Sequence, residues 1–347
     1  MPACQTVIPV SDPSQVGEAR RQVIRIAEQA SFGEADRGKA AIVVTELATN
    51  LARHATDGLI LAQAHLFADR KSVEILSIDR GPGISDVPRC LEDGFSTGGT
   101  PGTGLGAARR LSTEFEIYST EPAGTIVFCR VEETVRRRSE RSSFSWGVIN
   151  CPAPNEVDCG DSWSLRESKD RLSLMLADGL GHGPFAAAAA EEATIVFDRD
   201  PFAPLPSIFS AAHIRMQGTR GGAMAAAQID SSNGEMKYVG VGNIAGHLRG
   251  LEGEAKRGLF SHNGTLGAQL HKIQQFDYQC PIPGLLVMHS DGLQSRWSFD
   301  CYEGLTQSHP AIISAVLYRD FTRGRDDVTI AVVRVSPNDR DNSASQT

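Results

Sequence analysis

Residues 131–145 read VEETVRRRSERSSFS, charged and serine-rich, between the strand-like segments GTIVFCRV and WGVINCPAP. Such a stretch has too few apolar side chains to bury a face of a helix or a strand, so it reads as a linker. A chain cut there cannot fold around one core. It is expected to build two, over residues 1–131 and 146–336, with 132–145 between them. The polar end, PNDRDNSASQT, is expected to be a disordered tail over 337–347. The 347 residues suffice for two domains, at roughly 100–200 residues each. A hydrophobic content of 41% against 22% charged residues excludes an intrinsically disordered chain. The net charge of −8 lacks the basic footprint of a nucleic-acid binder. The seven cysteines form no C-x-x-C pair, which argues against zinc ribbons and a disulfide framework. No apolar run approaches the roughly 20 residues of a membrane span. The start, MPACQTVIPV, lacks the signal-peptide pattern, so a cytoplasmic protein without membrane contact is expected.

The first half reads as α/β sandwich material. Helices are predicted over 13–30 and 36–54, and strands over 60–68, 73–79, 114–118 and 125–131. In the second helix Ala40, Val43, Val44, Leu47, Ala48 and Leu51 recur at spacings of mostly three and four, one apolar stripe. Glu46, Asn50 and Arg53 fall on the opposite face. A carboxylate and an amide oxygen one turn apart can serve as general base and Mg²⁺ ligand, although an isolated pair of this kind reads as a solvated face. Strand 73–79 runs into Asp79-Arg80-Gly81-Pro82-Gly83, and Gly98-Gly99-Thr100-Pro101-Gly102-Thr103-Gly104-Leu105-Gly106 opens a short helix. Glycines at a helix start expose backbone N–H groups to phosphate. The spacing fits neither G-x-G-x-x-G nor G-x-x-x-x-G-K-[ST].

Taken in order, Glu46…Asn50, Asp79-x-Gly81-x-Gly83 and Gly102-x-Gly104-x-Gly106 resemble the N, G1 and G2 boxes of the GHKL ATPases. Gly124-Thr125 resembles the remaining element of their adenine pocket. The likeness spans residues 5–131 and is strongest to the serine kinases of anti-sigma partner switching, the stressosome switch kinases among them. It implies a Bergerat-type α/β sandwich that binds ATP and Mg²⁺. Asp79 would accept from the adenine amino group, with Gly81, Gly83 and Thr125 around it. Asn50 would hold Mg²⁺, and Glu46 would deprotonate the attacking serine. The backbone of Gly102, Thr103, Gly104, Leu105 and Gly106 would cradle the phosphates, under a short lid over 93–101. Pairing of two copies through this domain is also implied.

The second half is strand-rich, with strands predicted over 146–151, 162–168, 171–177, 222–229, 235–241, 284–289 and 328–335, and helices over 184–197, 206–216 and 310–317. The class is α+β, without regular β–α alternation. Four acidic sites stand where apolar runs end or begin: Asp161, Asp178, Asp291 and Asp326/Asp327. One Asp-Gly is an ordinary turn, but four carboxylate sites gathered together need cations to offset their repulsion. Oxygen ligands favour Mg²⁺ or Mn²⁺, and two such ions about 3.5–4 Å apart can activate a water toward phosphorus.

The segments Asp178-Gly179-Leu180-Gly181-His182-Gly183, Ser290-Asp291-Gly292 and Asp326-Asp327-Val328-Thr329 resemble the SpoIIE family of PPM-type serine/threonine phosphatases over residues 144–336. That likeness implies an αββα sandwich holding two Mn²⁺ or Mg²⁺ ions. Asp178 would bridge them, the Gly179 carbonyl and Asp161 would complete one shell, and Asp291 and Asp326 the other. Asp327 would orient its neighbour. His182 has two readings, a general acid or a histidine fixed in a glycine-rich turn. Together the halves imply a switch that phosphorylates and dephosphorylates serine or threonine on STAS-domain anti-sigma antagonists or stressosome-like proteins. The alternative is a phosphatase whose first domain senses ATP or a partner.

Overall fold

The computed structural model describes residues 4–66, 71–91, 104–133, 142–251 and 256–337. The chain divides between Arg138 and Ser139 into two compact units.

The first unit contains β1 (Thr6–Pro9), α1 (Ser14–Gln29), α2 (Glu34–His54), β2 (Leu59–Leu66), β3 (Lys71–Ile78), α3 (Val87–Cys90), α4 (Gly104–Leu111), β4 (Glu114–Thr120) and β5 (Gly124–Glu132). Its sheet runs β1-β2-β3-β5-β4, antiparallel at every pairing. The apolar stripe of α2 is buried as its spacing requires, and it packs with Ala19, Val23 and Ala27 of α1 against Ile60, Ala62, Val73, Ile75, Val127 and Cys129. Those sheet residues alternate along their strands, so one face of each strand feeds one core. Glu34 and Asp36 in the first turn of α2, and Arg53 and His54 in the last, complement its dipole.

The second unit contains β6 (Phe144–Cys151), β7 (Asp161–Ser168), β8 (Arg171–Gly179), α5 (Pro184–Arg199), α6 (Leu205–Met216), β9 (Gly222–Asp230), β10 (Glu235–Val241), β11 (Ala245–Gly250), β12 (Arg257–Gly258), β13 (Phe276–Gln279), β14 (Gly284–His289), α7 (Pro310–Phe321) and β15 (Val328–Val335). These make two antiparallel sheets, β13-β10-β9-β8-β7 and β12-β11-β14-β15-β6. Helices α5 and α6 cover the first sheet through Ala189, Ala193, Phe197, Phe209 and Met216, and α7 lies on β6 and β15. The α+β class and the helix–sheet–sheet–helix layering are those expected. Trp146 and Trp163 meet with ring centroids 5.9 Å apart, and both are buried.

Strands reach into the stretch expected as linker. Glu132 still pairs with Ser72, and β6 starts at Phe144, with Ser143 accepting a bond from Ser336 N (2.8 Å). Ladder partners on the neighbouring strands outweigh the local polarity there. Residues 134–141 and the tail 338–347 lie outside the described residues.

The close approach of α7 to β6 depends on one glycine. A methyl group on Gly147 would fall 2.2 Å from the Cα of Ala311, a backbone atom that cannot swing aside. Gly147→Ala should therefore destabilise the second domain by about 1–3 kcal/mol, the usual cost of overpacking, read as a lowered denaturant midpoint.

Candidate active sites

In the first unit the three motifs converge along α2. Glu46 and Asn50 are half-buried rather than fully solvated, because the start of α4 lies against them. A methyl on Gly104 would come within 2.8 Å of Glu46 Oε2 and 3.9 Å of Asn50 Oδ1. Gly104, Leu105 and Gly106 form the first turn of α4, where backbone N–H groups lack intrahelical partners. Gly102 and Thr103 lie outside the described residues, as does the 93–101 lid. Arg53, on the same face by spacing, is exposed.

Asp79 follows the last residue of β3. Its Oδ1 accepts from Gly81 N (2.7 Å) and Thr125 N (3.2 Å), while its own N–H donates to Thr125 O (3.0 Å). A Cβ on Gly81 would sit 3.1 Å from His54 O and 3.5 Å from Ala55 Cα, so this turn abuts the C-terminal end of α2. Asp79, Gly81 and Thr125 are thus one hydrogen-bonded unit, and Gly83 continues it at φ +81°. Ser119 belongs there too, though the motifs do not reveal it. Its hydroxyl lies 2.8 Å from Thr125 Oγ1 and accepts from Ile84 N (2.7 Å). Only the β4–β5 register, which sets Ser119 opposite Thr125, exposes that link.

In the second unit β7 and β8 pair with Asp161 directly opposite Asp178, at the sheet end. Gly179 N donates to Gly160 O (3.0 Å) and closes the pair. Asp291 follows β14 and Asp326 precedes β15, strands that are neighbours in the second sheet. Asn243 donates to Asp291 Oδ2 (2.8 Å). The hydroxyls of Ser290 and Thr329 hydrogen-bond Asp161, and Asn150 Nδ2 donates to Thr329 Oγ1 (2.8 Å). Asp327 is buried and accepts from Ala153 N (2.8 Å), while its N–H donates to Asp326 Oδ1 (3.0 Å). It ties the 152–160 loop to the start of β15. Ser290 and Thr329 belong to the quoted motif segments, and Gly242-Asn243 resembles the same family, but their partners are distant in the chain.

The carboxyls are crowded. Burial pushes Asp161 up to about 7, with the charges of Asp327 and Asp291 adding to the rise. Burial and the charges of Asp161, Asp291 and Asp326 push Asp178 up to about 9. Asp327 is also raised, chiefly by burial. Among the described residues no three His, Cys, Asp or Glu side chains close on a point that would hold an ion unaided. Mg²⁺ does not require that, since it keeps several waters and takes one or two carboxylates. Asp161 Oδ2 is buried with no hydrogen-bond partner, a costly state for an acceptor unless a cation takes it. Hard oxygen donors, mutual repulsion and an orphaned buried oxygen fit a divalent cation. His182 is an exposed side chain with Nδ1 2.8 Å from Glu156 Oε1.

Comparison with known proteins settles the affiliation. Residues 10–131 match the histidine kinase-like ATPase domain, and residues 168–336 match Stage II sporulation protein E. The chain is 37% identical over 108 residues to the serine/threonine-protein kinase RsbT of Bacillus subtilis (strain 168), covering 31% of this chain and 81% of that one. The chain belongs to the GHKL serine kinases in its first half and the SpoIIE phosphatases in its second. A chain solved in work on the bacterial stressosome, as a modular system adapted to control secondary messenger signalling, superposes with a TM-score of 0.51 at 26% identity, over 56% of this chain and 100% of that one. RsbX in complex with magnesium superposes at 0.50 and 20% identity, over 58% and 99%, and supports the fold alone. This GHKL–SpoIIE protein is therefore a serine/threonine phosphatase with an RsbT-like kinase domain, a pairing that belongs to partner-switching signalling. Among the described residues no helix is long and apolar enough to cross a membrane.

Proposed function

We propose that this chain runs two opposed reactions on one class of substrate, serine or threonine in STAS-domain anti-sigma antagonists or stressosome-like scaffolds. The observation that carries this reading is the placement of Glu46 and Asn50 against Gly104, within a domain 37% identical to RsbT. A carboxylate beside the phosphate-facing turn is the general base that transfer requires beyond nucleotide binding. Glu46 takes the serine proton as the hydroxyl oxygen attacks the γ-phosphorus of ATP and ADP leaves. Asn50 would hold the Mg²⁺ that accompanies ATP, Asp79 would accept from the adenine, and the first turn of α4 would meet the phosphates.

In the second domain Asp161, Asp178, the Gly179 carbonyl, Asp291 and Asp326 would hold two Mn²⁺ or Mg²⁺ ions. Bound there, the ions supply positive charge for the phosphoryl oxygens and acidify water. The chain's own contribution is positional. Asn243 fixes one oxygen of Asp291, Ser290 and Thr329 fix Asp161, and Asp327 holds Asp326 and the 152–160 loop.

The test is a two-stage assay of the full chain with labelled ATP, Mg²⁺ and a STAS-domain protein. Label should enter the partner when the phosphatase is disabled and leave it when the wild type is added. Label that never enters, with ATP still altering phosphatase rate, would support an ATP-sensing first domain instead. Gly104→Ala should leave folding intact, because the Glu46 tip can swing away, and should lower label incorporation by about 10²-fold through the misplaced base.

A further inference from the structure

Beside the second acidic centre stands a group of exposed apolar side chains and one arginine. Val157, Leu180 and Phe185 are 84%, 61% and 69% exposed, unusual for large apolar residues packed around a catalytic turn. Leu180 and Phe185 flank the glycine turn that leaves Asp178. Val157 follows Glu156, whose carboxylate holds His182 of that turn. Arg220 joins them from the loop that enters β9. Leu180 N donates to Gly221 O (2.9 Å), and Gly179 lies opposite Gly222, so the loop and the turn are one ladder. The Arg220 guanidinium lies 5.0 Å from the centroid of the Phe185 ring. A Cβ on Gly181 would come within 3.1 Å of Arg220 Nη1. The arginine is therefore held at the rim, by ring and backbone, three residues along the turn from Asp178.

Arg220 makes no ion pair among the described residues, although a carboxylate-rich centre adjoins it. The divalent ions that centre would hold bring it close to neutral, so a fixed cation at its edge adds attraction for a phosphoryl dianion on approach. Guanidinium suits the task because its planar fork takes two phosphoryl oxygens at once. Stacking on Phe185 orders the fork before substrate arrives.

We propose that Arg220 binds the phosphoryl group of the phosphatase substrate, and that Val157, Leu180 and Phe185 seat an apolar residue flanking the phosphorylated serine or threonine. The substrate class is then a protein segment with an apolar neighbour to the phosphoresidue. A small phosphorylated metabolite would engage the arginine alone. This inference rests on the phosphatase reading of the same site.

The experiment uses the full chain with Mn²⁺, two substrates and one inhibitor. The substrates are p-nitrophenyl phosphate and a phosphoserine peptide with leucine beside the phosphoserine; the inhibitor is inorganic phosphate. Arg220→Ala should raise KM for both substrates and Ki for phosphate by about tenfold or more, with kcat changed less than the constants for binding. Arg220→Lys should fall between, keeping the charge and losing the fork. Leu180→Ser should raise KM for the peptide several-fold more than for p-nitrophenyl phosphate. A wild-type Ki for phosphate in Arg220→Ala overturns the arginine assignment, and equal effects of Leu180→Ser on both substrates overturn the apolar seat. A wild type that hydrolyses neither substrate overturns the phosphatase reading itself, and with it the inference.

Discussion

Asp178→Asn should lower phosphatase activity by on the order of 10²–10³-fold, the loss expected when an ion worth several kcal/mol is displaced. The same variant should make the metal-free protein no less stable. Asp178 stands opposite Asp161 across β7 and β8, and in the metal-free state both carboxyls are raised, to about 9 and about 7. A carboxyl whose folded value exceeds its unfolded value holds a proton that the unfolded chain has already released. Its contribution to stability is complete below the ordinary carboxylate range. It is lost as pH climbs through the raised values, here from about 4 toward 9. Asparagine cannot ionise, so the variant lacks the part of that decline due to Asp178. Thermal melts in chelator across pH 6–9 should show the variant's Tm at or above the wild type's, with the gap widening as pH rises. Mn²⁺ should raise the wild-type Tm, by preferential binding to the folded state, and move the variant's little. A variant that melts lower at every pH, or that keeps its activity, places Asp178 outside the centre.

The candidate residues of each site were legible before the fold, and the way they are held was not. Asp79, Gly81, Gly104 and Asp178 stand out because a carboxylate or a glycine at a strand end or helix start breaks the local pattern. Ser119 does not stand out, and for Asn243, Ser290 and Thr329 the motifs show the residue but not what it holds. A hydroxyl or an amide in a strand or turn is common, and its function appears only once pairing brings a distant partner opposite. The direct facing of Asp161 and Asp178 is of that kind, since register follows from the whole sheet. The strands missed by periodicity have physical reasons as well. Thr6–Pro9 has four residues and ends in proline, and Ala245–Gly250 carries two glycines and an alanine, which have low strand preference. Phe276–Gln279 is a short edge strand half open to solvent. Each forms because its neighbour offers a ladder. Arg130 pairs with the buried Glu74 (3.0 Å) and the partly exposed Glu114 (2.8 Å) across strands whose apolar content is plain in the sequence, and that content says nothing about which polar residues meet.

Glu46→Gln should cut phosphoryl transfer steeply while keeping nucleotide binding, the largest separation of functions expected in the first domain. The two groups differ by one proton-accepting oxygen and almost nothing in volume, so the packing against Gly104 survives. Asp79 with its Gly81 and Thr125 bonds lies by the C-terminal end of α2, about two turns along the helix from Glu46, and is untouched. A general base contributes about 10²–10⁴-fold, and transfer should fall by that factor. The measurement belongs in an Asp178→Asn background, where hydrolysis does not erase the label. There, incorporation from labelled ATP into a STAS-domain protein reports transfer alone, and a fluorescent ATP analogue reports binding. Loss of label at unchanged nucleotide affinity makes Glu46 the base. Loss of both would mean that the carboxylate shapes the nucleotide pocket instead. Undiminished label would remove Glu46 from the reaction, and a second carboxylate would have to be sought.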